Sequence, residues 1–275
     1  MLRCGNYQLD LSRPLVMGIV NVTPDSFSDG GHHATTELAL AHAQQLIADG
    51  ADILDIGGES TRPGAAAVSE QEELERVLPL IEGLRDSGIP LSIDTWKPGV
   101  MRAALAAGAS MVNDVNALLA EGALSVVAAS AAAVCLMHKQ GTPQTMQQQP
   151  HYDDVVAEVS AFLRERIAAA ERAGIMRERI VVDPGFGFGK TLAHNLALLR
   201  DLRQLGAAGV PVLAGMSRKS MLGAITGRGV DERLVPSVVS AVLAVQRGAA
   251  IVRVHDVRET VDALKVLSAL NEDGR

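Results

Sequence analysis

The chain has 275 residues, a formal net charge of -7, and a composition that is 48% apolar but only 3% aromatic. The acidic balance argues against nucleic acid or an anionic membrane surface as the main partner, and it leaves an anionic small-molecule substrate open. The length suits one large α/β domain whose core is built mainly from Ala, Val, Ile and Leu.

The N-terminal segment MLRCGNYQLDLSRP lacks the apolar run of a signal peptide, and no later stretch is long enough to span a membrane. We expect residues 1–14 to form an N-terminal extension or a short hairpin. Cys4 and Cys135 are the only cysteines, and they lie far apart in the sequence. A disulfide framework or a cysteine-rich zinc site is therefore disfavoured, and we expect a cytoplasmic protein.

Eight short β-branched runs recur along the chain, separated by alanine-rich segments with helical periodicity. Continuous apolar runs of this length are typical of strands buried on both faces of a parallel sheet. The alternation predicts a (β/α)8 TIM barrel, formed as a single domain over residues 1–275. A doubly wound open sheet is the alternative, because periodicity does not reveal closure. The runs are VMGIVNV, ADILDIGG, LSIDT, SMVNDV, AAVCLMH, IVVDPG, VPVLAGMS and AAIVRVH.

Polar residues stand at the end of each predicted strand, where barrels of this kind place their active sites. Any single one of them could be a helix cap or a turn residue. A ring with so many acids, amides and bases exceeds what strand ends need, so it predicts a site with inward-pointing acceptors and nearby cations. The ring comprises Asn21, Asp55, Asp94, Asn113, His138, Asp183, Ser217, Arg253 and His255.

The stretch VVDPGFGFGKT, residues 181–191, has the glycines and the Gly-Lys-Thr of a nucleotide-binding loop but not its spacing. A P-loop has four residues between its first glycine and Gly-Lys-Ser/Thr. Only three residues separate Gly185 from Gly189, and the preceding Pro184 has no N–H to donate to a phosphate. We therefore interpret the stretch as the sixth strand and the loop after it.

Seven motifs occur in order, each on a predicted strand end or in the following loop. Together, from about Val16 to the final helix, they closely resemble the dihydropteroate synthase family, which sulfonamides inhibit. The family consists of TIM barrels that join 6-hydroxymethyl-7,8-dihydropterin pyrophosphate to 4-aminobenzoate, giving 7,8-dihydropteroate and pyrophosphate in folate biosynthesis. The motifs are NVTPDSFSDGG, DIGGESTRPGA, IDT, ND, DPGFGFGK, SRKS and RVHDV.

The resemblance implies which residues hold the dihydropterin. Asp183 would accept hydrogen bonds from the amino-pyrimidine edge, and one carboxylate can take two such donors at once. Asp94 and Asn113 would surround the rim, while Lys219 would face the carbonyl side of the ring. From the residues alone, Asp183 could instead cap a turn before Pro184, and Lys219 could be the Schiff-base lysine of a barrel aldolase.

The resemblance also implies a pyrophosphate site formed by Asn21, Arg253 and His255 together with Mg²⁺. This metal prefers oxygen ligands and is commonly shared with substrate phosphates, so the amide oxygen of Asn21 would suffice as a protein ligand. Arg253 and His255 are two residues apart and so share one strand face. The helix beginning near Asp256 would add the positive end of its dipole.

For the second substrate, the resemblance implies an SN1-like reaction in which pyrophosphate leaves first and the neutral amine of 4-aminobenzoate captures the cation. Asp29, Lys219, Arg253 and His255 are the implied catalytic residues, with Asp29 stabilising the cation. Phe27 and Pro63 would form an apolar slot for the benzoate ring. Thr61, Arg62 and Ser220 would contact the aminobenzoate or the pyrophosphate.

Lys139 departs from the family pattern, because an uncharged residue is expected at that position, and Trp96 occupies a variable one. A pterin-binding methyltransferase domain that uses methyltetrahydrofolate, a non-catalytic pterin-binding protein and a barrel aldolase are the alternative functions. The family resemblance implies small-molecule substrates and a homodimer formed through late helices. The run SVVSAVLAVQRGAA could pack in that interface, or it could belong to the barrel core.

Overall fold

A barrel of parallel strands forms the centre of the fold in a computed structural model that describes residues 1–22, 32–60, 67–141, 145–146, 148–206 and 208–272. Each strand pairs with its neighbours in chain order, and a parallel bridge between Val182 and Val212 joins the two ends of the sheet. The predicted barrel is therefore confirmed, and the open sheet is wrong. The strands are β3 (Leu15–Asn21), β4 (Ile53–Gly57), β5 (Leu91–Asp94), β6 (Met111–Asp114), β7 (Ala133–Met137), β8 (Ile180–Asp183), β9 (Leu213–Ala214) and β10 (Ile251–Val254).

Helices connect the strands and cover the outside of the barrel. Several begin at side chains that accept hydrogen bonds from the first turn: Ser69 before α2, Asp154 before α5 and Thr191 before α6. No helix in these described ranges is long and apolar enough to cross a membrane. The helices are α1 (His32–Ala48), α2 (Glu70–Leu84), α3 (Pro98–Ala107), α4 (Ala123–Ala128), α5 (Val155–Arg172), α6 (Leu192–Arg200), α7 (Leu202–Gly206), α8 (Ser220–Thr226), α9 (Leu234–Gln246) and α10 (Val257–Glu272), with 3₁₀ turns at Arg177–Arg179 and Val230–Glu232.

The strand predicted from VPVLAGMS is much shorter than expected, because only Leu213 and Ala214 form a regular strand. Pro211 has no N–H to donate to a neighbouring strand. Its carbonyl oxygen nevertheless accepts a hydrogen bond from the Val182 amide at 3.0 Å, which continues the closure of the barrel.

An N-terminal hairpin closes the amino end of the barrel. Its strands β1 (Leu2–Cys4) and β2 (Tyr7–Leu9) are antiparallel, and Gly5 donates its amide to the Ala131 carbonyl oxygen at 3.1 Å. Leu2 and Cys4 are fully buried against the first inward-facing side chains of the barrel strands. That cluster also contains Leu15, Met17, Ile53, Met111, Ala133, Cys135, Val181, Leu213 and Ile251.

The strand register separates this apolar floor from a polar carboxyl end. Asn21 is in register with Gly57, Gly57 with Asp94, and Asp94 with Asn113. Residues in register share a face of the sheet, so these positions all face the barrel axis. Arg253 is in register with the buried Met17 and faces the axis as well.

We predict that Leu2→Ala destabilises the protein by about 2 kcal/mol or more, because it removes a fully buried side chain from the floor cluster. Urea unfolding would measure the change. Leu38→Ala is the matched control, since Leu38 is 52% exposed on α1 and should lose at most about 0.5 kcal/mol. Equal losses in both variants would contradict the role of the hairpin in closing the barrel.

Candidate active site

Arg253 joins three barrel strands through the buried carboxylate of Asp55 and the largely buried carboxylate of Asp94. Its Nε lies 2.5 Å from Asp55 Oδ2, and its Nη2 lies 2.7 Å from Asp94 Oδ2. The Asn113 side-chain amide also donates to Asp55 Oδ2, at 2.9 Å. Four of the predicted strand-end residues therefore form one connected network on β4, β5, β6 and β10.

The network carries more negative than positive charge, because two carboxylates share one guanidinium. Burial raises the pKa of Asp94 to about 7; Arg253 opposes this shift and Asp55 adds to it. Burial acts to lower the pKa of Arg253, yet the adjacent Asp55 and Asp94 carboxylates hold it above its ordinary value. Asp55 Oδ1 is buried and has no hydrogen-bond partner within the described ranges. A guanidinium in this setting remains cationic and presents a positive edge to an anion.

Asp183 and Lys219 form a second group at the end of β8 and in the loop before α8. Asp183 is buried, and its Oδ1 accepts a hydrogen bond from the Gly185 amide at 2.7 Å. Lys219 Nζ donates to the Phe186 carbonyl oxygen at 2.5 Å and lies 4.6 Å from the centre of the Phe188 ring.

Burial brings the pKa values of Asp183 and Lys219 closer together. It raises the pKa of Asp183, against the opposing charge of Lys219. It also lowers the pKa of Lys219 to about 8, with Asp183 again opposing the shift. Asp183 supplies a carboxylate acceptor and Lys219 an ammonium donor at the same end of the barrel. This pair suits a flat ligand with both donors and acceptors on its edge.

His255 lies where the cationic strand β10 meets the start of α10. Its Nδ1 is 3.0 Å from Ser217 Oγ, and its backbone amide donates to that oxygen at 3.2 Å. The following residue, Asp256, forms a bidentate ion pair with Arg218, at 3.1 Å to Nε and 2.5 Å to Nη2. The loops after β9 and β10 are thus tied together, and the amino end of α10 opens beside His255.

The Mg²⁺ prediction can be compared with the oxygen donors at this end. No group of three or more His, Cys, Asp or Glu side chains that could hold a metal occurs in the part of the chain that the structure describes. Asn21 Oδ1 and Asp94 Oδ2 lie within 3.8 and 3.7 Å of the position that a Gly57 Cβ would occupy. One or two oxygen donors beside a phosphate site fit a cation that retains waters and shares the substrate phosphates.

The remaining predicted site residues are Ser220 and five residues of the loops after β3 and β4. Ser220 is exposed at the first position of α8, directly after the loop that carries Lys219. The remaining predicted residues, which belong to the two long loops after β3 and β4, lie outside the described residues. They are Phe27, Asp29, Thr61, Arg62 and Pro63.

His138 belongs to the predicted polar ring, but its side chain is packed inside the protein. It is buried, and its ring packs edge-on against Phe162 at 5.0 Å between centroids. Its Nδ1 lies 3.0 Å from Lys190 Nζ. Burial, and secondarily the Lys190 charge, lowers the pKa of His138 to about 3, so the ring is neutral and acts as an acceptor.

Sequence reasoning assigned no role to Asp55 or to the acidic cluster around Lys97. Asp55 already stood in the strand-end ring, and its contact with Arg253 could not be read from spacing. Lys97 Nζ lies 2.7 Å from Glu59 and 2.5 Å from Glu73, and Trp96 donates its indole N–H to Glu59 at 3.2 Å. Trp96 therefore belongs to an ion-paired cluster at the base of the loop after β4.

Lys139 lies in an acidic environment at the same end of the barrel. Burial lowers its pKa, while the negative charges of Asp114 and Glu59 oppose that shift. Burial also raises the pKa of Asp114 to about 6, although its carboxylate accepts backbone amides from Asn116 and Leu118. The departure from the family pattern thus places a cation beside Asp114.

Residues 17–255 match the family described as pterin binding enzyme. The dihydropteroate synthase of Escherichia coli strain K12 is 52% identical over 262 residues, which cover 95% of this chain and 93% of that protein.

Among solved structures, a Xanthomonas albilineans dihydropteroate synthase with 4-aminobenzoic acid is 59% identical, with a TM-score of 0.91 over 96% of this chain and 95% of that one. The same organism's enzyme in complex with 7,8-dihydropteroate is 56% identical, with a TM-score of 0.88 and the same coverage, 96% and 95%. A Yersinia pestis dihydropteroate synthase with a sulfonamide drug is 49% identical, with a TM-score of 0.94 over 98% and 99% of the two chains.

We predict that Arg253→Met lowers the free energy of unfolding by about 3–5 kcal/mol at pH 8, because it leaves the buried Asp55 and the largely buried Asp94 without their counter-charge. The native-state pKa of Asp94, which burial already raises to about 7 against the opposing charge of Arg253, then rises further. The native state therefore binds more protons than the unfolded chain, and stability falls as pH increases. The loss measured by urea unfolding should therefore be smaller at pH 5.

Arg13→Met is the matched control for this prediction, since Arg13 pairs with Asp52 while its own side chain is 61% exposed. An exposed pair contributes at most about 1 kcal/mol. A pH-independent loss in Arg253→Met, or one no larger than that of Arg13→Met, would show that Arg253 does not hold the network together.

Proposed function

This chain belongs to the dihydropteroate synthases, a family of pterin-binding transferases, and from that premise we propose how its own side chains carry out the reaction. The reaction joins 6-hydroxymethyl-7,8-dihydropterin pyrophosphate to 4-aminobenzoate and releases pyrophosphate. Relatives that are about 50% identical to this chain over nearly its whole length are dihydropteroate synthases. This leaves no support for the methyltransferase, aldolase or non-catalytic alternatives. The arrangement that carries the proposal is the Arg253 network beside the Asp183–Lys219 group.

Asp183 is the proposed anchor for the pterin. Its Oδ1 already accepts the Gly185 amide at 2.7 Å, which fixes the carboxylate plane. Its Oδ2 lies toward the barrel axis, 4.0 Å from the position of a Gly215 Cβ. The 2-amino and ring N–H donors of the pterin would bind this carboxylate, and Lys219 would donate to the carbonyl side. Asn113 and Asp94 would bind the remaining rim.

Arg253 and His255 are the proposed pyrophosphate ligands. Breaking the C–O bond moves its electron pair onto the departing pyrophosphate, so cations held in advance lower the barrier. The guanidinium is already oriented by Asp55 and Asp94, at 2.5 and 2.7 Å. Asn21 would hold Mg²⁺ through its amide oxygen, and the bound metal would neutralise further charge on the phosphates.

The methylene cation left on the dihydropterin is stabilised by the electron-rich ring. The amine lone pair of 4-aminobenzoate then forms the new C–N bond, and the resulting ammonium nitrogen loses one proton to water. This amine is neutral near pH 7, so attack requires no strong general base. We propose Asp29 as the group that stabilises the cation. Phe27, Thr61, Arg62, Pro63 and Ser220 are the proposed contacts of the aminobenzoate and pyrophosphate.

Sulfonamide binding is part of the same proposal, since a Yersinia pestis relative was solved with such a drug. We also propose a cytoplasmic location, which is consistent with two buried free thiols, Cys4 and Cys135.

The reaction itself is the experiment that tests this proposal. Purified protein with dihydropterin pyrophosphate, 4-aminobenzoate and Mg²⁺ should form dihydropteroate, measured by chromatography. Removal of the metal with EDTA should lower turnover at least about tenfold, because charge on the leaving group is then less neutralised. Turnover should return when Mg²⁺ is added back in excess of the chelator. Absence of product under every condition would overturn the proposed function.

Asp183→Asn tests whether Asp183 binds the pterin and not the 4-aminobenzoate. The change replaces a charged acceptor with a neutral amide and should raise the KM for the pterin substrate at least about tenfold. The KM for 4-aminobenzoate, measured at saturating pterin, should change much less. Unaltered pterin KM would show that Asp183 does not bind the pyrimidine edge.

The proposed partner is a second copy of this chain, docked through the late helices. Val235 and Val239 are 66% and 51% exposed one turn apart on α9, and Val266 and Leu270 are 73% and 72% exposed one turn apart on α10. Two neighbouring helices that each present an apolar ridge are typical of a protein interface rather than of a solvated surface.

We predict that the wild-type protein has twice the chain mass of 28.9 kDa in solution and that Val239→Glu has the mass of a single chain. The reason is that the substitution would bury a charge in the interface. Light scattering after gel filtration measures this. Met176→Glu, a change at a residue 44% exposed elsewhere on the surface, should leave the dimer intact. A wild-type protein that is monomeric at high concentration would remove the basis for this interface.

A further inference from the structure

Lys190 is a buried cation at the end of the β8–α6 loop, and the proposed reaction does not use it. It is 3% exposed. Its Nζ lies 3.0 Å from both the Gly185 and Phe188 carbonyl oxygens, and 3.3 Å from that of His138. Because Lys190 is turned inward onto protein acceptors, it does not serve as a nucleotide-phosphate lysine.

The side chain of His138 completes the set of acceptors around this ammonium. Its Nδ1, 3.0 Å from Lys190 Nζ, belongs to a neutral ring whose pKa is lowered to about 3 by burial and then by the lysine itself. Burial lowers the pKa of Lys190 to about 7, while Asp183 acts in the opposite direction. The ammonium thus connects the end of β7 to two carbonyl oxygens of the β8–α6 loop.

The same loop contacts both groups proposed to bind the pterin. The Gly185 amide donates to Asp183 Oδ1 at 2.7 Å, and the Phe186 carbonyl oxygen accepts from Lys219 Nζ at 2.5 Å. Lys190 holds the carbonyl oxygens of Gly185 and Phe188, which belong to the same four-residue stretch as these two contacts. A shift of the loop backbone would therefore move the partners of Asp183 and Lys219 together.

The backbone of this loop needs such a hold, because alternate residues adopt the left-handed conformation that glycine populates freely. The φ angles are 67° at Gly185, 81° at Gly187 and 64° at Gly189. A Cβ at Gly185 would overlap the His138 carbonyl oxygen, so the chain passes directly over β7. From the other side, Asn195 accepts the Gly187 amide at 2.8 Å.

We propose that Lys190 is a positioning residue for the pterin substrate. Its ammonium holds the β8–α6 loop against His138, and the loop in turn holds Asp183 and Lys219 in the geometry that binds the ring. This inference rests on the proposed function only in taking those two residues as pterin ligands. It assigns a task to the Gly-Lys-Thr sequence that matches no phosphate loop.

Lys190→Met tests the inference, because methionine has a similar length but no charge or donor. Titration calorimetry with the oxidised, unreactive pterin pyrophosphate and Mg²⁺, without aminobenzoate, measures pterin affinity alone. The dissociation constant should rise at least about tenfold, since the charge-assisted hydrogen bonds of the ammonium to the loop and to His138 are lost. The KM for 4-aminobenzoate at saturating pterin should stay within about threefold of wild type.

Lys190→Arg is the second variant, in case the methionine protein does not fold. It keeps the charge but cannot place one nitrogen among the same carbonyl oxygens, so pterin affinity should fall at least about threefold. Lys265→Met, at a side chain 74% exposed, is the control and should match wild type. Thermal unfolding confirms that each variant is folded at the titration temperature.

The outcomes separate this inference from the proposed function. An unchanged pterin dissociation constant in either folded Lys190 variant would overturn the positioning role, as would equal losses for both substrates. A wild-type protein that binds the pterin pyrophosphate yet forms no dihydropteroate would overturn the proposed function. The pterin titrations of the variants would still decide the role of Lys190.

Discussion

The sharing of Arg253 between Asp55 and Asp94 is the interaction on which the active end of this barrel depends. These three side chains come from strands that lie side by side, β10 through β3 to β4 and β5, and they meet only because the barrel curves around its axis. Buried ion pairs of this kind contribute little net stability but are costly to break. Here the pair holds a guanidinium in place at the site where an anionic leaving group is proposed to bind.

The β8–α6 loop orients the two groups that we propose as pterin ligands, Asp183 and Lys219. It has few side chains of its own that could fix it, and its glycines permit the left-handed turns. Its shape is therefore set chiefly by the inward-turned Lys190 at its own end and by Asn195 on α6, while its backbone groups bind Asp183 and Lys219. The close approach that these glycines permit in the structure is the packing of Gly185 on the His138 carbonyl oxygen.

Much of the fold and of the polar ring could be predicted from the sequence, because both depend on local periodicity. Buried parallel strands produce apolar runs, and the polar residue that ends each run must face the carboxyl end of the barrel. The partners within the ring could not be predicted, since the Arg253–Asp55 contact joins residues 198 positions apart. For the same reason the sequence did not predict that Lys190 turns toward the end of β7. The spacing did predict that Lys190 is not part of a phosphate-binding loop.

The side chains proposed to bind substrate are each oriented by protein partners. Lys219 donates to a backbone carbonyl oxygen, Asp183 accepts a backbone amide, and Arg253 lies between two carboxylates. A substrate would therefore bind to side chains that are already oriented, or would replace one of their protein partners. Preorganisation of this kind reduces the free energy that binding spends on ordering side chains and solvent. On the proposed assignments, side chains that touch no substrate, such as Lys190 and Asp55, would thereby set the affinity of the groups that do.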